Sequence, residues 1–94
     1  ALAGIKACEE LAGDIPNVTV FDTAFHQTMP EIAYIYNIPY EMYEKHRIRK
    51  YGFHGTSHRY MRDEIRNILG KENTKKIITC HIGQGASICA IKDR

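Results

Sequence analysis

The stretch Tyr51-Gly52-Phe53-His54-Gly55-Thr56-Ser57-His58 gathers two imidazoles, two hydroxyls and two glycines just ahead of a helical pattern. Histidines four apart can form a metal pair or a catalytic pair, and glycines beside them let the backbone approach a ligand closely. Small hydroxyl residues at a helix start leave the free N–H groups of its first turn open to an anion. Downstream, His81-Ile82-Gly83-Gln84-Gly85 makes a second glycine-rich turn between two apolar runs. Two such turns point to an anionic ligand near both. Asp22 follows the apolar run Val18-Thr19-Val20-Phe21, and open α/β sheets bind ligands at the carboxyl ends of their strands.

Each motif has more than one chemistry open to it. Zinc binding by His54 and His58 requires further ligands, such as Cys80 or His81, and their spacing matches no recognised zinc pattern. The two rings can instead be satisfied by local backbone hydrogen bonds, or form a polar site for a phosphate or carboxylate. Asp22 reads either as an exposed strand end or Asx turn, or as a carboxylate aimed at a cation or guanidinium. Gly83-Gln84-Gly85 reads either as an ordinary hairpin bend or as a nest of N–H groups around a phosphate, and it lacks the Lys-Ser/Thr of a Walker loop. The basic run Lys45-His46-Arg47-Ile48-Arg49-Lys50 follows Glu41 and Glu44 and reads as a solvated helix end rather than a nucleic-acid contact. Tyr34, Tyr36, Tyr40 and Tyr43 suit a partly buried surface as well as they suit base stacking.

The elements that must position these residues follow from periodicity. Leu2, Ile5, Cys8 and Leu11 predict a helix over residues 2–12, ended by Gly13-Asp14. Val18 to Phe21 is β-branched and apolar and predicts a short buried strand. Pro30 is expected at the first position of a short helix, with a further helical turn over Tyr40 to Lys45 and a short strand over Ile48 to Tyr51. Met61, Ile65, Ile68 and Leu69 share a helix face from about Ser57, with Thr56 or Ser57 as N-cap and Gly70 as the stop. Lys76 to Ile82 and Ala86 to Ile91 predict a β-hairpin across the second glycine turn. The order argues for an α/β architecture, a mixed sheet with packed helices.

The composition is that of one soluble globular unit: 94 residues, 44% hydrophobic and 26% charged, with a net charge of +2. That charge gives no drive toward nucleic acid or membranes, and no apolar run approaches the roughly 20 residues of a membrane span. Cys8, Cys80 and Cys89 are odd in number and lack C-x-x-C spacing; Cys80 and Cys89 read as buried thiols of a reducing compartment. The opening Ala1-Leu2-Ala3-Gly4 lacks the features of a secretory leader. Both ends are expected to be cut from a longer protein.

The segments from Val20 to Pro30 and from Tyr51 to His58 look like the signature segments of the acetate kinase family, and Ile77 to Ser87 resembles that family's phosphate-contacting turn. Order and spacing agree across essentially the whole chain. The resemblance implies a ribonuclease H-like (actin/Hsp70-type) ATPase domain, of which residues 1–94 form a single partial domain. It implies a cytoplasmic, homodimeric phosphotransferase several times longer, interconverting ATP plus acetate with ADP plus acetyl phosphate, with no nucleic-acid or membrane partner. By family pattern Asp22 is the catalytic carboxylate, His54 stabilises the transition state and Phe53 lines the acetyl pocket. His81, Ile82, Gly83, Gln84 and Gly85 contact the ATP phosphates. Mg²⁺ is implied, its ligands mainly outside this segment. The family pattern has Asn where this chain has Gln84; the added methylene moves the amide by roughly 1.5 Å. The alternatives are a kinase for propionate or butyrate, and a non-catalytic α/β module stabilised by a metal on His54, His58, Cys80 and His81. The isolated segment is expected to show no turnover, since other parts of the family's active site lie outside it.

Overall fold

The computed structural model describes residues 1–93. Helix α1, Leu2–Leu11, carries the expected apolar stripe but buries none of it against the rest of the segment. Two short helices follow, α2 at Glu31–Tyr34 and α3 at Glu41–His46. Pro30 stands one position before the first turn of α2, in extended backbone, rather than at its first residue. Arg47 closes α3 in the left-handed conformation, with Lys45 and His46 in the last turn; a helix C-terminus favours such cations. The long helix α4, Gly55–Leu69, ends at Gly70 with φ 81°, a backbone angle that favours glycine.

Strands β1, Lys76–Ile82, and β2, Ala86–Lys92, form the expected antiparallel hairpin. Its register pairs Ile77 with Ile91, Thr79 with Cys89 and His81 with Ser87. Because side chains alternate along a strand, these six share one face. That face lies against α4, and Ile91 and Thr79 are buried there. The opposite face, with Ile78, Ile82 and Ile88, is exposed. Strands apolar on both faces are the pattern of sheets covered from both sides, and here one cover is missing among the described residues.

Three expectations are corrected. Val18 to Phe21 is an irregular, exposed segment, with Val18 83% accessible, because no strand lies beside it among the described residues. Ile48 to Tyr51 is irregular too: Lys50 N–H donates to the Tyr34 carbonyl, and the Arg49 guanidinium lies over the Tyr34 and Tyr51 rings at 3.8 and 4.8 Å. Cys80 is exposed, since it falls on the outer face of the hairpin, and Cys8 is exposed as well.

The only buried hydrophobic side chain among the described residues is Ile91, whereas His26, His58, Thr74 and Thr79 are all buried. The radius of gyration is 17.3 Å, against about 12 Å for a compact domain of this length. The segment therefore closes around a polar centre and leaves its apolar faces open. Among the described residues no helix is long and apolar enough to cross a membrane.

Candidate active site

The polar centre is built where the first turn of α4 meets the hairpin bend. Helix α4 starts at Gly55, two residues before the earlier of the expected caps would allow, and His54 occupies the N-cap position. Its carbonyl accepts the first intrahelical bond, from His58 N–H at 3.0 Å. His54 has φ 55° and ψ 30°, a left-handed conformation that costs a non-glycine residue roughly 1–2 kcal/mol and clusters at functional sites.

A long-range contact explains the early start. Gly55 N–H donates to the Asp22 carbonyl at 2.9 Å, and a Cβ on Gly55 would collide with that same oxygen. Only glycine lets the two segments approach so closely. Asp22 thus sits in a turn leading into a short 3₁₀ segment, Ala24–His26, not at the end of a strand. Its backbone is docked on the helix that carries His54.

The His54 ring reaches the second turn. It stacks on His81 with centroids 4.0 Å apart and planes within 16°, and its Nδ1 lies 2.9 Å from Ser87 Oγ. Its Nε2 edge faces Gly85, where an added Cβ would stand only 3.2 Å away. The bend is closed by Gly83 N–H donating to the Gly85 carbonyl at 3.0 Å, and Gln84 is exposed at its tip. His81 Nδ1 is 2.9 Å from Ser57 Oγ on the first turn of α4. The two motifs and the Asp22 segment are therefore contiguous: Asp22 meets Gly55, and His54 meets His81, Ser87 and Gly85.

Behind His54 lies a second histidine pair. His58 is 1% accessible; its Nδ1 is 2.7 Å from Thr79 Oγ1 and its Nε2 is 2.7 Å from Ser87 Oγ. Burial lowers its pKa below the ordinary value of 6.5, and the imidazoles of His26, His81 and His54 reinforce the shift. His26 stands edge-on to His58 at 5.7 Å. A carbonyl can only accept, so the 2.8 Å contact to Phe53 O puts the His26 hydrogen on Nε2.

Two cavities flank the helix start. One of about 430 Å³ is lined by Phe53, His26, Met29, Pro30 and residues 87–92 of β2. The other, about 220 Å³, is lined by Val20, Phe21, Thr56, Arg59 and Arg62. Phe53 is 65% exposed and turned to the first of them.

Sequence reasoning singled out Asp22, Phe53, His54 and the residues from His81 to Gly85, but passed over His26, Thr79 and Ser87. Alternation along β1 and β2 was the signal that could have found the last two, since both fall on the same face as His81. The same alternation separates Cys80 from His54, His58 and His81, and no group of three or more metal-ligating side chains occurs among the described residues.

The segment is α/β, with a polar, histidine-rich junction between a helix start and a glycine bend. The model of the acetokinase family matches residues 1–94, and the chain belongs to that family. It is 65% identical over 92 residues to the acetate kinase of Thermotoga petrophila and 60% identical to that of Acetivibrio thermocellus, in each case over 97% of this chain and 23% of the relative. Among solved structures it is similar to Porphyromonas gingivalis acetate kinase, with a TM-score of 0.88 and 56% identity over 98% of this chain and 23% of that one. A propionate kinase from Francisella tularensis follows with a TM-score of 0.84 and 48% identity, over 97% and 23% respectively. The α/β class holds, and the fold of the segment is that of the matching part of these kinases. The chain thus spans about 23% of the length of the relatives it matches.

Proposed function

We propose that this segment belongs to a cytoplasmic, dimeric acetate kinase and supplies part of the cleft in which a phosphoryl group passes between ATP and acetate. The observation that carries the reading is the convergence at one junction of three separately recognised elements: Asp22 on Gly55, and His54 between His81 and Gly85. Phosphoryl transfer asks the protein mainly for alignment and for charge stabilisation around the equatorial oxygens. His54 is suited to donate a hydrogen bond from Nε2 to those oxygens, at the edge that faces the glycine bend. The backbone from His81 to Gly85 approaches the ATP phosphates, with Gln84 at its tip, and Phe53 borders the cavity that takes the acetyl group.

Acetate is already ionised at neutral pH, so its attack requires no general base. Asp22 therefore acts as a charge partner, for an arginine outside this segment or for Mg²⁺ through water. Mg²⁺ commonly keeps several waters and takes only one or two carboxylates alongside substrate phosphates, so a lone Asp22 fits such a site as one contributor. When bound, the ion neutralises charge on the phosphates.

Propionate is the second substrate considered, because the propionate kinase similarity reaches 48% identity. The test is ADP formation by the family-length protein with acetate, propionate and butyrate as acceptors. Acetate giving the highest kcat/KM supports the reading. A preference for propionate or butyrate would replace the substrate, and absence of carboxylate-dependent ADP formation would refute the proposal.

A further inference from the structure

Ser87 Oγ is approached by two imidazole nitrogens, His58 Nε2 at 2.7 Å and His54 Nδ1 at 2.9 Å, while His58 Nδ1 meets Thr79 Oγ1 at 2.7 Å. A serine hydroxyl carries a single hydrogen, so the two rings cannot both accept from it. His58 is buried and its pKa is lowered, which keeps it neutral with one N–H. A neutral imidazole flanked by two hydroxyls donates to one and accepts from the other.

We infer that Thr79, His58 and Ser87 form a one-way hydrogen-bond relay that fixes the tautomer and the orientation of His54. Thr79 Oγ1–H donates to His58 Nδ1, His58 Nε2–H donates to Ser87 Oγ, and Ser87 Oγ–H donates to His54 Nδ1. With Nδ1 of His54 occupied as an acceptor, its hydrogen resides on Nε2, the edge facing Gly85. The reverse direction would leave neutral His54 with a bare Nε2, unable to donate to a phosphoryl oxygen. The ring is held on its remaining side by the His81 stack at 4.0 Å. Ser87, His58 and Thr79 are thus positioning residues, acting through His54 without touching the reacting atoms. Removing the hydrogen-bond partner that orients a metal-bound histidine typically changes affinity or activity by roughly 10- to 100-fold, and an effect of that order is expected for a partner that orients His54.

The inference rests on the role proposed for His54, and two readouts separate them. In the family-length enzyme with ¹⁵N-labelled histidine, the His54 signals, assigned by their loss in His54→Ala, should report an Nε2–H tautomer. Ser87→Ala should remove that preference and lower kcat by roughly 10- to 100-fold while both KM values stay within about twofold. Ser87→Thr keeps the hydroxyl and should recover most of kcat and the Nε2–H tautomer. Unchanged kcat and an unchanged tautomer in Ser87→Ala would overturn the relay, as would Ser87→Thr behaving like Ser87→Ala. Full activity in His54→Ala would instead overturn the role of His54, with the tautomer shift in Ser87→Ala still deciding the relay.

Discussion

Gly55→Ala perturbs the contact on which the junction depends. A Cβ there would overlap the Asp22 carbonyl oxygen and stand 3.0 Å from Phe25 Cβ and 3.3 Å from the Asp22 carbonyl carbon. None of these atoms is the free end of a flexible side chain, so relief requires backbone movement. Separating the two segments breaks the 2.9 Å hydrogen bond between Gly55 N–H and Asp22 O, a loss of about 1 kcal/mol. Forcing a methyl group into a filled contact costs a further 1–3 kcal/mol, roughly. The better helix propensity of alanine returns at most about 1 kcal/mol, and less at the first residue of a helix. The net expectation is about 1–4 kcal/mol of destabilisation, read from the shift of the denaturant midpoint in the family-length enzyme. The same movement displaces Asp22 from His54, and a misplacement near 1 Å can cost on the order of 100-fold in turnover. A variant with wild-type midpoint and wild-type kcat would refute the close approach.

Two further outcomes follow from the same geometry. Gly85→Ala would place a Cβ 3.2 Å from His54 Nε2 and 3.3 Å from Cε1, on a ring already held by His81 and Ser87; a kcat lowered roughly tenfold with stability unchanged is expected, and an unaffected kcat contradicts it. Stability should also depend on pH through His58. Its folded pKa lies below 6.5, so the unfolded chain binds the extra proton first. The contribution is complete above pH 6.5 and is lost as the pH falls from there toward the folded pKa, by at most about 1.4 kcal/mol per pH unit. His26, His54 and His81 face His58 and add to the lowering that burial begins. Denaturant midpoints between pH 7.5 and 5.5 should fall less steeply in His58→Gln than in the parent, and equal slopes would exclude His58 as the source.

What the sequence carried and what it withheld divide along the range of the contacts. The hairpin from Lys76 to Lys92, the body of α4 and the stop at Gly70 are set by alternation, helical period and a glycine of positive φ, all of them local signals. The start of α4 was misread because Gly55 answers to the Asp22 carbonyl, 33 residues away, and not to its neighbours Thr56 and Ser57. Val18 to Phe21 has the composition of a strand, but a strand needs a partner, and none lies among the described residues. At the site, motif likeness picked out His54 and the glycine bend. The relay behind them depends on the register that sets Ser87 opposite His81, which follows from the hairpin only once both strands are paired.

The central claim is that His54 supplies its hydrogen bond in the transition state. The most direct measurement is the kinetics of His54→Ala in the family-length enzyme, with kcat and the acetate and ATP KM values determined separately. Loss of a transition-state donor should lower kcat by roughly 100- to 1,000-fold, with little change in either KM. A variant that kept its kcat and lost only affinity would mean that the imidazole holds a ground-state ligand, and the account would fail.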